Sequence, residues 1–183
     1  MIEVKDIEKI YDILMDDNVV NKINENLGTL LMLIPELKPI IGFEHRHPHH
    51  HLDVWDHTLC ALSNSIKDFD IRLVLLLHDI GKPFSYQEKE GIRHYKNHPK
   101  VSKEISKRIL KRLEFKDTYI EEICNLIEKH DDIISNDDIT NYPEQTNKLF
   151  EIQRCDALAH HPEKLEKRIK YLEKVKNKMS KSV

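Results

Sequence analysis

The stretch LVLLLHDIGKPF, residues 73–84, decides how this chain reads. Its apolar half belongs to a run from Ile71 to Leu77 that predicts a buried helix, with Asp70 as the expected cap and Gly81 and Pro83 as the expected stop. His78 and Asp79 follow at once, an imidazole and a carboxylate at the end of a core helix. An ionised carboxylate is costly to bury alone, so Asp79 is expected to pair with a cation or to bind a metal.

Apolar stripes at three- and four-residue spacing recur on both sides of this stretch. Residues 3–34 read as helices up to Pro35, and Asp53 is placed to cap a helix carrying Val54, His57, Ala61 and Leu62. Between them, residues 35–52 read as an irregular, histidine-rich connection. Residues 84–95 lack a helical stripe and centre on Glu90-Gly91, which predicts a short hairpin or a flap over a site. Further helices are expected from Pro99 to Leu113, from Ile120 to about His130, over residues 144–161 and over residues 163–179. Only 4 glycines and 33% charged residues suit a mostly helical protein. The expectation is one all-α bundle of about six to eight helices. A helical lead-in (1–40), a main domain (41–162) and a charged final helix with its tail (163–183) divide the chain.

A net charge of −3 gives no general reason to expect a nucleic-acid binder. No apolar run is long enough to span a bilayer, and no basic segment followed by an apolar one marks a secretory leader. Cys60, Cys124 and Cys155 are odd in number and scattered, which fits reduced thiols and a cytoplasmic location.

Histidine is the compositional outlier at 12 residues. His57, His98, His130 and Asp156, together with the doublet, each fall in helical context, mostly on an apolar stripe. Any one alone would read as a hydrogen-bonded core histidine or a helix-start residue. Separate helical segments each offering a ligand-type group to the core point instead to a metal. Imidazole with carboxylate suits Fe, Mn, Co, Ni or Zn, and the lack of paired cysteines argues against a structural zinc site.

The series His57, His78-Asp79, His98, His130, Asp156 resembles the HD superfamily of metal-dependent phosphohydrolases. ELKPIIGFEHRHPHHHLDVWDHTLCAL (36–62) and LLLHDIGKPFSYQEKEGIRHYKNHPKVSKEISKRILKRLEF (75–115) are similar to the HD domain of bacterial CCA-adding and related tRNA nucleotidyltransferases. The nucleotidyltransferase head, with its Gly-Ser and paired-aspartate signature, is not found, so nucleotide addition is not expected. The resemblance implies one metal on His57, His78, Asp79 and Asp156. It leaves His98 and His130 either to complete a second site bridged by Asp79 or to bind substrate phosphate.

That resemblance implies hydrolysis of a phosphate ester or nucleotide, an RNA end included, with Asp79 holding the metal and orienting the attacking water. Lys82 would neutralise phosphate charge or merely complement a helix dipole. Arg93 and His94 read as a solvated loop with phosphate contact as the alternative. His45, His47, His49, His50 and His51 either line a substrate entrance or bind surface metal. His160 and His161 are expected to end a helix without chemical role, and Trp55 and Phe84 to pack. The rival reading from another class is a metal-containing domain that senses a nucleotide or RNA without turnover.

Overall fold

A computed structural model describes residues 4–47 and 51–181. The architecture is all-α, as expected, with one two-stranded hairpin. Among the described residues there are eleven α-helices rather than six to eight, because several stripes are broken by caps. The first three are α1 (Val4–Leu14), α2 (Val19–Glu25) and α3 (Leu27–Leu33). Asn26 both ends α2 and starts α3, so a continuous stripe becomes two short helices. Pro35–Ile40, expected to be irregular, forms a 3-10 helix. Arg112 clamps it by a bidentate pair with Glu36 at 2.7 and 2.6 Å, and donates to the Leu33 carbonyl at 2.8 Å.

Helix α4 (Val54–Ser63) starts at Asp53, whose carboxylate accepts from Asp56 N–H at 2.8 Å. Helix α5 (Phe69–Leu77) is the core helix, and every residue from Ile71 to Leu77 is buried. Its cap is Asp68, not Asp70: Asp68 sits in extended backbone and accepts from Ile71 N–H at 3.0 Å. Asp70 lies inside the first turn, where it accepts from Tyr119 Oη at 2.7 Å and pairs with Lys148. Arg72 tolerates burial because its guanidinium donates to the Leu14 and Asp16 carbonyls at 2.6 and 2.8 Å.

After Leu77 the chain does not simply stop at Pro83. Successive tight turns lead through His78 and Asp79 into α6 (Lys82–Ser85), with Pro83 in its first turn. Strands β1 (Gln87–Lys89) and β2 (Ile92–His94) follow as an antiparallel pair. Glu90 and Gly91, both at positive φ (53° and 77°), make the turn, so the hairpin lies where the sequence indicated it. Arg93 is no solvated loop residue. Its guanidinium lies 4.6 Å from the ring centres of both Phe43 and Tyr86, and donates to the Glu44 carbonyl at 2.7 Å.

Helices α7 (His98–Arg112) and α8 (Asp117–Lys129) pack side by side. Helix α9 (Asn136–Asn141) is set by a Ser135/Asp138 capping box, and α10 (Pro143–Leu158) and α11 (Pro162–Met179) complete the chain. Trp55 is buried at 5% exposure as expected, whereas Phe84 stands 60% exposed and does not pack into the core. All three cysteines are free thiols. No helix among the described residues is long and apolar enough to cross a membrane.

Candidate metal centre

The end of α5 fixes the site. His78, its C-cap, and Asp79 are turned inward beneath α4, α7, α8 and α10, and both are buried. From α4 comes His57; from the first turn of α7, His98; from the end of α8, His130; from the last turn of α10, Asp156. The structure brings all six sequence-indicated ligand residues into one buried cluster around the Asp79 carboxylate.

The two carboxylate oxygens of Asp79 face different groups. Oδ2 lies 3.3 Å from His78 Nε2 and 3.7 Å from His57 Nε2. Asp156 Oδ1 closes that side, at 2.8 Å from His57 Nε2 and 3.6 Å from His78 Nε2. Oδ1 of Asp79 faces the other side, 3.2 Å from His98 Nε2 and 3.9 Å from His130 Nε2. Potential ligand atoms therefore gather in three groups, His57–His78–Asp79, Asp79–His98–His130 and His57–Asp156–His160, with Asp79 common to the first two.

Tautomers follow from the outer contacts. Nδ1 of His57, His78, His98 and His130 faces a backbone carbonyl, of Ala159 (3.2 Å), Leu75 (2.7 Å), Tyr95 (2.7 Å) and Ile127 (2.6 Å) respectively. A carbonyl only accepts, which assigns a proton to Nδ1 and leaves Nε2 of each ring, when neutral, with a lone pair. Those lone pairs converge on carboxylate oxygens and, for His98 and His130, on one another at 3.1 Å. Such an arrangement is repulsive unless a cation or an extra proton lies among the groups. His78 Nε2 and Asp79 Oδ1 make no hydrogen bond although both are buried. A divalent metal satisfies these groups together, and carbonyl-oriented imidazoles are the outer support that metal-bound histidines use.

The charge balance agrees. Burial works against charge on His78, but Asp79 and Asp156 override it and lift its pKa to about 10. Burial would push Asp79 up, yet His78 and Lys82 hold it well below the carboxylate range. The same contest, won by His160, His57 and His78, holds Asp156 low. The two buried carboxylates thus rest on positive charge at this point, from Lys82 and from a second proton on the His78 ring, the place a divalent cation would take. For His130, burial dominates and lowers the pKa to about 4, so the imidazole is neutral and able to bind metal.

Lys82 is neither exposed nor at a helix C-terminus. It opens α6, is buried, and its ammonium donates to Asp79 Oδ2 at 2.6 Å and to His45 Nε2 at 3.0 Å. His45 Nδ1 donates to the Leu52 carbonyl at 2.8 Å, so Nε2 of the neutral His45 ring accepts the hydrogen bond from the Lys82 ammonium. Burial and then Lys82 push its pKa down to about 2. Of the histidine-rich connection, His45 is therefore an internal support, His47 lines the cleft, His51 is exposed, and His49 and His50 lie outside the described residues.

The cluster opens into a cleft of about 180 Å³. Its walls include Asp79, Lys82, His98 and His130, with His94 and Tyr95 of the hairpin segment and with Asp131, His160 and Lys164. His160 was expected to lack a chemical role, but it is buried against His57, ring centres 5.1 Å apart. Its spacing of four from Asp156, one helical turn, was the available signal. Asp131 also escaped sequence reasoning. It lies 3.5 Å from His98 Nε2, and the second His-Asp doublet, His130-Asp131, could have found it.

The sequence matches the HD domain family over residues 49–172. It is 30% identical over 143 residues to a CC-adding tRNA nucleotidyltransferase of Thermus thermophilus, covering 73% of this chain and 31% of that protein. It is 33% identical over 113 residues to an A-adding tRNA nucleotidyltransferase of Deinococcus radiodurans, covering 58% of this chain and 26% of that protein. The chain thus spans about a third or less of the length of these curated relatives.

Proposed function

Starting from the chain's membership of the HD domain family, we propose that it is a metal-dependent phosphohydrolase acting on a nucleotide or another phosphate ester. The observation that carries this reading is the convergence of four Nδ1-protonated imidazoles on Asp79 and Asp156 at the floor of an open cleft. His57, His78, Asp79 and Asp156 would hold one divalent metal, and His98 and His130 would complete a second site that shares Asp79. When bound, a divalent cation supplies Lewis acidity toward a phosphoryl oxygen and makes water a nucleophile near neutral pH.

The protein's own part is positioning. Asp79 is placed to serve both sides of the centre because its carboxylate cannot rotate freely: Lys82 holds Oδ2 and imidazoles flank each oxygen. Lys82 is in turn fixed by His45, and the Tyr95 hydroxyl ties the hairpin segment to the His45 backbone by donating to its carbonyl at 2.6 Å. Tyr95 and His94 form part of the cleft wall, where displacing water on substrate entry would strengthen electrostatic interactions inside. Lys82 reaches the cleft wall as well, so it both orients Asp79 and adds positive potential where a phosphoryl group would lie. The relatives are named as tRNA nucleotidyltransferases, which makes an RNA end one candidate substrate among nucleotide-terminated phosphate esters.

The test is a screen of the chain, loaded in turn with Fe, Mn, Co, Ni and Zn, against phosphomonoesters, 2′,3′-cyclic phosphodiesters and dinucleotide polyphosphates. Turnover of at least one class that disappears on chelation is expected. Tight nucleotide binding without turnover by any loading would instead favour the sensor reading. Lys82→Met should lower kcat/KM by about 10–100-fold, the usual range for loss of a residue that orients a metal ligand. Its effect should fall on kcat and KM together, since Lys82 faces both Asp79 and the cleft. A change confined to KM would contradict its role in holding Asp79.

A further inference from the structure

The face of α11 that meets the cleft carries two cations, Lys164 and Arg168, to which no carboxylate hydrogen-bonds among the described residues. Lys164 lines the cleft together with Asp79, Lys82, Asp131, Asp156 and His160. Its ammonium donates to His160 Nε2 at 2.7 Å, a neutral acceptor whose Nδ1 is committed to the Asp156 carbonyl at 2.8 Å. Among the described residues no carboxylate hydrogen-bonds to Lys164, and the Asp156 and Asp131 charges act on it only from a longer range. One turn further along, Arg168 keeps Nε and Nη2 buried without a hydrogen-bond partner, and its nearest carboxylate oxygen, Asp131 Oδ1, is 3.9 Å away.

A partly desolvated cation without a hydrogen-bonded anion is unfavourable, and an anion entering the cleft would recover that cost. Lys82 cannot serve alone, because its ammonium is already shared between Asp79 and His45. Lys164 retains donor capacity, having three N–H bonds and a single acceptor identified for them. A cleft of about 180 Å³ is smaller than the ~300 Å³ at which drug-sized ligand pockets begin, and suits one phosphoryl group with the rest of the molecule outside.

We propose that Lys164 is a phosphate-binding residue of this cleft, which grips the terminal phosphoryl group of a phosphomonoester. The proposal rests on the phosphohydrolase reading of the site, and it deepens that reading by naming a specificity-determining residue outside the ligand cluster. Arg168 adds positive potential from behind Lys164 without itself reaching the cleft wall.

The probe is inorganic phosphate, titrated calorimetrically into the Mn-loaded full chain, with metal content measured on the same samples. Lys164→Met should weaken phosphate binding by about 10–100-fold, the range for losing one charge-assisted hydrogen bond, at unchanged metal content. Lys164→Gln should show the same direction, and Lys164→Arg should recover most of the loss. The control Lys167→Met, on the exposed face of the same helix, should bind phosphate as the unaltered chain does. Equal binding by the Lys164→Met and unaltered chains overturns the proposal. So does an equal loss in the control, a loss of metal alongside phosphate, or no phosphate binding by the unaltered chain at millimolar concentration. A chain that binds phosphate through Lys164 but hydrolyses no ester keeps this anion site and loses the hydrolase reading, so the two failures are separable.

Discussion

Asp79→Asn is expected to lower metal-dependent turnover by about 10³-fold or more, the scale seen when a group central to the chemistry is removed. The asparagine amide keeps the shape of the carboxylate and one oxygen for Lys82, but loses the charge. Both sides of the centre depend on that charge, because His57 and His78 gather at Oδ2 while His98 and His130 gather at Oδ1. Metal content should therefore fall on both sides at once. Removing one member of a buried ion pair costs on the order of 3–5 kcal/mol when the partner is left bare, and the amide oxygen softens this for Lys82. Far-UV circular dichroism should accordingly report an intact helical fold. A folded Asp79→Asn chain that kept its metal and its turnover would remove the carboxylate from the mechanism.

Gly81→Ala should damage the fold and the site together. Gly81 has φ −82° and ψ −13°, a conformation that alanine adopts readily, so backbone strain is not the cause. Space is. A Cβ there would lie 2.5 Å from the Ser102 backbone nitrogen and 2.8 Å from the His98 carbonyl oxygen. Gly81 N–H also donates to Ser102 Oγ at 2.9 Å, so the start of α6 and α7 approach closely at this one residue. The methyl group must push α7 away, and with it His98, which lies 3.2 Å from Asp79 Oδ1. Overpacking of this kind costs on the order of 3 kcal/mol, a fall of about 6–12 °C in Tm for a chain of this size. The variant should lose metal from the His98–His130 side first. Thermal melts with elemental analysis check both effects, and a variant melting within about 2 °C of the unaltered chain would contradict the packing argument.

The parts legible in the sequence were those written as periodic stripes. Val54, Ala61 and Leu62 placed His57 on a buried face, and Ile123 and Ile127 did the same for His130; the structure buries both histidines. Glu90-Gly91 gave the hairpin because the turn needs a positive φ that Gly91 adopts without steric cost, and Glu90 adopts one beside it. Less legible were features settled by neighbours distant in sequence. Asp70 looked like the cap of α5, yet Asp68 took that place while Tyr119 and Lys148 claimed Asp70. Lys82 could not be assigned from its position after the doublet, since its partner His45 lies 37 residues away. Nothing in the charged final helix pointed to the site, although His160, just before it, and Lys164 and Arg168 within it recur at four-residue intervals and turn inward. Short helix α9 carried a signal, Ser135 three residues before Asp138, but lacked an apolar stripe long enough to draw notice.

The most direct test of an Asp79-centred metal site is anomalous diffraction from crystals of the chain grown with Mn. The account predicts two peaks flanking the Asp79 carboxylate, each about 2.0–2.3 Å from its ligand atoms, one among His57, His78 and Asp156 and the other beside His98 and His130. No peak within about 3 Å of Asp79, in crystals that carry Mn elsewhere on the chain, would contradict it.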